Sequence, residues 1–207
     1  MAASGTLASE ALTRNEARKA EEFLQKRDPS MRALISAHGP CDIPDRCDQP
    51  FASLASAIIS QQLSAKAAQT IKSRVRHVLD GPIEPKRWLS VQPKLLRNAG
   101  MSAAKVDYIS QISRHVVTGA IDFQRIERMT EGEAISALVE LPGVGRWTAE
   151  MFLIFCMKRP NVLPLADAGL RRAVRLIYKA GELEEHAVHW APYCSVASWY
   201  LWRHLDS

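Results

Sequence analysis

The chain has 207 residues, of which 47% are hydrophobic and 24% are charged, and its formal net charge is +5. This composition supports one compact core or two small lobes and excludes global disorder. The basic charge suits a polyanionic partner but does not establish one. No apolar run approaches the roughly 20 residues that span a bilayer, and the N-terminus lacks the apolar core of a secretory signal. We therefore expect a cytoplasmic protein that has no membrane anchor.

Helical patterns begin near the N-terminus. Thr13 with Glu16 predicts a capping box that opens a helix ending before residue 28. A second, short helix is predicted over 30–37. The stretch 39–50 holds three prolines and a glycine, which is typical of a loop.

Further helices follow from the spacing of apolar residues and from capping residues. Five helices are predicted to begin between this loop and residue 141. They begin at Phe51, after Ser64, at Pro93, after Ser102, and at the capping box of Thr130 with Glu133. Three more helices are predicted over 146–158, 168–180 and 192–205. No run shows convincing strand alternation, so the pattern predicts an all-α protein.

The cysteines at 41, 47, 156 and 194 are not spaced like the ligands of a zinc ribbon or an iron–sulfur cluster. We expect reduced thiols and no iron–sulfur cluster, with a disulfide between Cys41 and Cys47 as the alternative. The six histidines are too scattered to predict a metal site.

A glycine hairpin occupies 141–149, with the sequence LPGVGRWTA. We expect its turn to be too tight for a side chain at either Gly143 or Gly145. The amides at the start of the next helix lack internal partners and favour a phosphate. The alternative is an ordinary helix–loop–helix corner. The predicted DNA-binding residues of the hairpin are Gly143, Val144, Gly145, Arg146 and Thr148.

Four further segments occur in a recognisable order: FASL at 51–54, IISQQLSAKAA at 58–68, GMSAAK at 100–105, and the aromatic segment from Pro192 to Trp202. Together with the hairpin they resemble the helix-hairpin-helix DNA glycosylase superfamily, in particular its 3-methyladenine DNA glycosylase II branch. The resemblance implies two helical lobes with a DNA-binding cleft between them. One lobe would span 50–150, and the other would combine 1–49 with 151–207.

Asp167 lies where the family has its catalytic aspartate. Cleavage of the bond between base and sugar builds positive charge on the sugar. A fixed carboxylate can stabilise this charge, or it can help a water molecule to attack the sugar. An aspartate before a helix is more often only a cap. Bifunctional relatives carry a lysine where this chain has Trp147. We therefore expect a monofunctional enzyme without strand-nicking activity.

Family resemblance also implies a pocket that stacks on a cationic alkylated base. Its predicted residues are Trp147, Trp202 and Met151, with a core position as the alternative for each tryptophan. Gln62 and Leu63 match the plug that fills the gap left by an extruded base, and the alternative is a helix corner with Leu63 in the core. Lys66, Arg171 and Arg172 are further candidates for phosphate contacts.

The resemblance further implies a structural monovalent cation held by the backbone carbonyls of Val139, Leu141 and Val144, and no required cofactor. The predicted activity is hydrolysis of alkylated bases, of 3-methyladenine and 7-methylguanine type, from double-stranded DNA. Two alternatives remain open: a glycosylase for uncharged lesions such as hypoxanthine or uracil, and a non-catalytic DNA-binding module. We expect a monomer that acts in the nucleoid of a bacterium or the nucleus of a eukaryote.

Overall fold

The computed structural model describes residues 11–46 and 49–207, and all the regular structure in those ranges is helical. The α-helices are α1 (Arg14–Arg27), α2 (Pro29–His38), α3 (Pro50–Ser60), α4 (Ala65–Val78), α5 (Pro85–Ser90), α6 (Pro93–Asn98), α7 (Ala103–Val117), α8 (Phe123–Glu127), α9 (Glu131–Val139), α10 (Arg146–Phe155), α11 (Ala168–Tyr178), α12 (Leu183–Trp190) and α13 (Cys194–Leu205). A short 3-10 helix, Ile43–Asp45, interrupts the predicted loop. The all-α prediction is confirmed.

The described residues form two compact units. The terminal unit takes its residues from 11–46 and 153–207, and the central unit consists of 49–152. In the described part of the chain, no helix combines the length and the apolar character needed to cross a membrane.

A buried carboxylate organises the terminal unit. Asp28 caps α2, because its Oδ1 accepts hydrogen bonds from the amides of Ser30 and Met31 at 2.8 and 3.1 Å. Its Oδ2 accepts from the hydroxyl of Tyr178 at 2.6 Å and from the indole of Trp190 at 2.9 Å. One side chain therefore ties the junction of α1 and α2 to α11 and α12, and both of its own oxygens are hydrogen-bonded.

The central unit packs α5 and α3 against α7. α7 buries Val106, Ile109 and Ile112 on one face, at the spacing expected for an amphipathic helix. Trp88 of α5 is 1% exposed, and its indole donates to the hydroxyl of Ser110 at 3.0 Å. This core supports the turn around Gln62 and Leu63 and the glycine hairpin at 141–149, which carry most of the predicted DNA contacts.

The predicted caps hold with one exception. Thr130 and Glu133 form the reciprocal capping box, and Ser64 and Ser102 cap α4 and α7. At α1, Thr13 accepts from the Glu16 amide, but the Glu16 carboxylate accepts from Lys19 at 2.7 Å instead of closing the box.

Some predicted boundaries were wrong. α10 and α11 end at residues 155 and 178, and α13 begins at residue 194. Three helices were not predicted, α5, α8 and α12, and they have only five to eight residues each. Helices this short show too few turns for a periodic pattern.

Candidate functional site

The glycine hairpin joins α9 to α10 within the central unit. The amide of Val144 donates to the carbonyl of Leu141 at 3.1 Å and closes the turn. Gly143 has a φ of +78°, and a Cβ there would overlap the ring of Tyr108. Both the backbone conformation and the packing therefore require glycine at this position.

Gly145 differs from Gly143, and the prediction that the turn excludes a side chain at both glycines was wrong. Gly145 does not have a positive φ, and a Cβ there would meet nothing within 4 Å. The residue is exposed at the start of α10. Nothing in the described part of the chain requires glycine here, and the backbone at Gly145 borders open space.

The other hairpin residues differ in exposure. Val144 and Thr148 are each 5% exposed, so a phosphate could reach them only at the backbone. The side chain of Arg146 is 70% exposed, and its Nε donates to Oε1 of the buried Glu150 at 2.9 Å. Glu150, which the sequence analysis missed, therefore orients an arginine that remains accessible to an anion.

The predicted plug lies at the turn between α3 and α4, also in the central unit. We call residues 61–63 the plug turn. Gln62 has a φ of +57° and is exposed. Leu63 is 38% exposed, so the alternative that placed its side chain in the core was wrong.

Two residues that were not singled out hold the plug turn. Gln61 donates from Nε2 to the carbonyl of Gly143 at 2.9 Å and to Oγ1 of Thr148 at 3.3 Å. Lys105 donates from Nζ to the carbonyls of Ile59 and Gln61 at 2.9 and 2.6 Å. The partners are separated by 44 to 87 residues in the chain, so no local pattern could have revealed these contacts.

Asp167 lies in the terminal unit, at the N-terminus of α11, and is 8% exposed. Its Oδ1 accepts from the amide of Leu170 at 2.8 Å and from the indole Nε1 of Trp202 at 3.1 Å. A Cβ at Gly169 would lie 3.0 Å from this Oδ1 and 3.5 Å from Cδ1 of Trp202. Asp167 is thus a helix cap, as predicted, with its orientation also fixed by an aromatic side chain.

The predicted pocket residues have different surroundings. Trp202 is half-buried in the terminal unit, and its ring centroid lies 5.7 Å from that of Phe155. Trp147 is 49% exposed on the first turn of α10, so the alternative of a core position was wrong for it. Met151, one turn later, is half-buried.

Of the predicted phosphate contacts, Lys66 and Arg172 are exposed. Arg171 is engaged within the terminal unit: it donates to the carbonyl of Leu165 at 2.8 Å and to the carboxylate of Glu184 at 2.6 Å. Its side chain is committed to joining α11 to the segments around it.

The predicted cation ligands, Val139, Leu141 and Val144, lie in one six-residue stretch. Carbonyl oxygens are donors that suit hard cations. The oxygen of Leu141 accepts the turn hydrogen bond from Val144 and keeps a second lone pair. The donor set therefore fits a monovalent cation, and the site remains a prediction. In the described ranges no group of three or more His, Cys, Asp or Glu side chains could hold a metal ion. Cys41 is a buried thiol, whereas Cys47 lies outside the described residues.

Comparisons with known proteins agree on one family. Residues 55–189 match the model of the HhH-GPD superfamily base excision DNA repair protein. DNA-3-methyladenine glycosylase 1 of Schizosaccharomyces pombe is 30% identical over 197 residues, covering 89% of this chain and 86% of the relative.

Two solved structures are also similar. A DNA-3-methyladenine glycosidase from Bacillus halodurans superposes with a TM-score of 0.80 at 34% identity, covering 94% of this chain and 92% of that one. The S. pombe 3-methyladenine DNA glycosylase in complex with abasic DNA has a TM-score of 0.78 at 29% identity, covering 91% and 97%.

Proposed function

Because the chain belongs to the HhH-GPD superfamily of base excision DNA repair proteins, in its 3-methyladenine DNA glycosylase branch, we propose that it hydrolyses the N-glycosidic bond of alkylated bases in DNA with Asp167 as its catalytic carboxylate. The substrates are bases of the 3-methyladenine and 7-methylguanine type in double-stranded DNA. The reaction leaves an abasic site and begins base excision repair.

The geometry of Asp167 carries the proposal. Two N–H donors, from Leu170 and Trp202, hold the same carboxylate oxygen. A carboxylate fixed before the reaction begins stabilises the positive charge that develops on the sugar without a cost of reorganisation. The leaving base is already cationic, so the reaction needs no strong acid to protonate it.

Exposed aromatic surface supports recognition of a cationic base. Trp147 offers its ring on the first turn of α10, and Trp202 adjoins the catalytic carboxylate. A cation over an indole face gains on the order of 1–2 kcal/mol. We assign Trp147, Trp202 and Met151 to the base pocket. A glycosylase for hypoxanthine or uracil would instead need dedicated hydrogen-bond donors to the leaving base.

We further propose that the enzyme is monofunctional. Strand cleavage by the lyase route needs an amine that attacks the sugar and forms a Schiff base. The position after LPGVGR is Trp147, and the nearest lysine on its C-terminal side, Lys158, donates from Nζ to the carbonyl of Pro44 at 2.9 Å within the terminal unit. Borohydride trapping of a covalent adduct with DNA would contradict this assignment.

Contacts to the duplex are assigned to the hairpin and the plug turn. The backbone from Gly145 onward, at the start of α10, and the exposed Arg146 are suited to hold a phosphate, which fixes position without reading sequence. Gln62 and Leu63 would fill the space that an extruded base leaves.

The experiment is base release from a methylated duplex, compared with inosine- and uracil-containing duplexes, by wild type and by Asp167→Asn. We expect release of methylated purines by wild type alone. Release of inosine or uracil bases at equal rates would favour the uncharged-lesion alternative. Binding without any release would favour a non-catalytic module.

A further inference from the structure

The side chain of Lys105 holds the plug turn in place. The last carbonyls of a helix lack partners within it, and at the end of α3 the ammonium group of Lys105 satisfies two carbonyls, those of Ile59 and Gln61. A cation at a helix C-terminus also interacts favourably with the helix dipole. Partial burial lowers the pKa of Lys105, because the charged ammonium loses part of its contact with water.

The same turn is tied to the hairpin through a side chain. Gln61 donates to the carbonyl of Gly143, where the ring of Tyr108 leaves no room for a Cβ, and to the buried hydroxyl of Thr148. The element that would enter the duplex and the element that would hold a phosphate therefore share hydrogen bonds within one unit.

A cavity of about 230 Å³ lies directly against the plug turn. Its lining is mixed. Apolar side chains come from Ile59, Leu63, Ile71 and Met101, and polar ones from Gln61, Gln62, Ser102 and Lys105. Contact with the apolar side chains of this lining would stabilise an inward-turned position of the exposed Leu63. The outward position of Leu63 thus depends on a backbone that is held in place.

We propose that Lys105 and Gln61 are positioning residues for base extrusion: they keep the plug turn outward and fixed relative to the hairpin, so that Leu63 enters the duplex at a set distance from the held phosphate. This proposal rests on the plug role assigned to Gln62 and Leu63 under the proposed function. Neither residue needs to touch the reacting atoms.

The test replaces Lys105 by methionine, which keeps an unbranched side chain of nearly the same length and removes its donors. The matched control is Lys72→Met, because Lys72 is a half-buried lysine on α4 of the same unit whose pKa is also lowered by burial. Three properties are measured for each variant: affinity for an undamaged duplex, fluorescence of 2-aminopurine placed as the extruded base, and single-turnover release of methylated purines.

For Lys105→Met we expect extrusion and single-turnover release to fall about tenfold or more, with affinity for undamaged duplex within about twofold of the control. Lys105→Arg, which retains charge and donors, should recover most of the extrusion signal. Extrusion at the control rate in Lys105→Met would overturn the proposal.

Gln61→Met is a second, independent test of the proposal if Lys105→Met fails to fold. It should show the same extrusion defect, and the double variant should lose less than the product of the two single effects, because both act on one turn. Fully multiplicative losses would overturn the proposed coupling. Absence of base release in the wild type would refute the proposed function instead, while the fluorescence would still report on the plug turn.

Discussion

The indole of Trp202 donates a hydrogen bond to Asp167 at 3.1 Å, on the same carboxylate oxygen that caps α11. A capping aspartate needs only the backbone amide. Asp28 also accepts from an indole, but on the oxygen that does not cap its helix. At Asp167 the cap and the indole hold one oxygen, and this arrangement gives the first two predictions.

Asp167→Asn should reduce release of methylated purines by at least about 100-fold, because the variant removes the charge that faces the developing cation. Asparagine caps helices nearly as well as aspartate, so the free energy of unfolding should change little. The measurement is single-turnover release, with duplex affinity by fluorescence anisotropy. Asp122→Asn is the control, because Asp122 caps α8 through the amides of Gln124 and Arg125. An active Asp167→Asn enzyme would contradict the assignment.

Trp202→Phe should lower the single-turnover rate about 10- to 100-fold, which corresponds to loss of one hydrogen bond to a charged group. The ring contact with Phe155 is retained in large part, so stability should fall only modestly. Trp199→Phe is the matched control, since Trp199 donates its indole N–H to Asp42 at 2.7 Å in the same unit. Equal effects of the two substitutions on release would show that Trp202 has no special role.

Gly143→Ala and Gly145→Ala should separate folding from DNA binding. At Gly143 the positive φ and Tyr108 oppose a side chain, so unfolding free energy should fall by roughly 1–3 kcal/mol. At Gly145 the protein has room, so thermal unfolding should be unchanged.

If the backbone at Gly145 approaches a phosphate, the added methyl group should still weaken duplex affinity about tenfold. Chemical denaturation and anisotropy measure the two quantities. Unchanged affinity in a stable Gly145→Ala variant would count against a phosphate held at this turn.

Leu63→Ala should leave stability within about 0.5 kcal/mol of wild type, as expected for an exposed side chain. Release of methylated purines from a duplex should nevertheless drop about tenfold, because the gap left by the base is no longer filled. Single-stranded substrate should be affected less. Leu95→Ala, at another exposed leucine of the same unit, is the control.

The Cys41 thiol predicts a pH dependence of stability. Burial raises its pKa from 9.0 to about 12. Between these values the unfolded chain loses the thiol proton while the folded protein retains it, so stability falls as pH rises, by up to about 1.4 kcal/mol per pH unit. Below pH 9 the contribution is complete. Cys41→Ala should therefore lose less stability than wild type above pH 9, as measured by chemical denaturation across that range.

Local chemistry made much of the fold predictable. Ser64, Ser102 and Thr130 mark helix starts because each side chain satisfies an amide three residues later. α5 and α8 were not predicted, because they are too short to show a periodic apolar face. The hairpin and Asp167 were found from their residues and from the resemblance. Gln61 and Lys105 were not, because their partners are brought close only by tertiary packing.

Gly169 lies close beside Oδ1 of Asp167 and the indole of Trp202. A single methyl group at residue 169 would press on the carboxylate oxygen and only touch the indole, while leaving the charge of the protein and its hairpin intact. If that small displacement stops excision without weakening the grip on DNA, the variant becomes a reagent that marks alkylated sites in a genome.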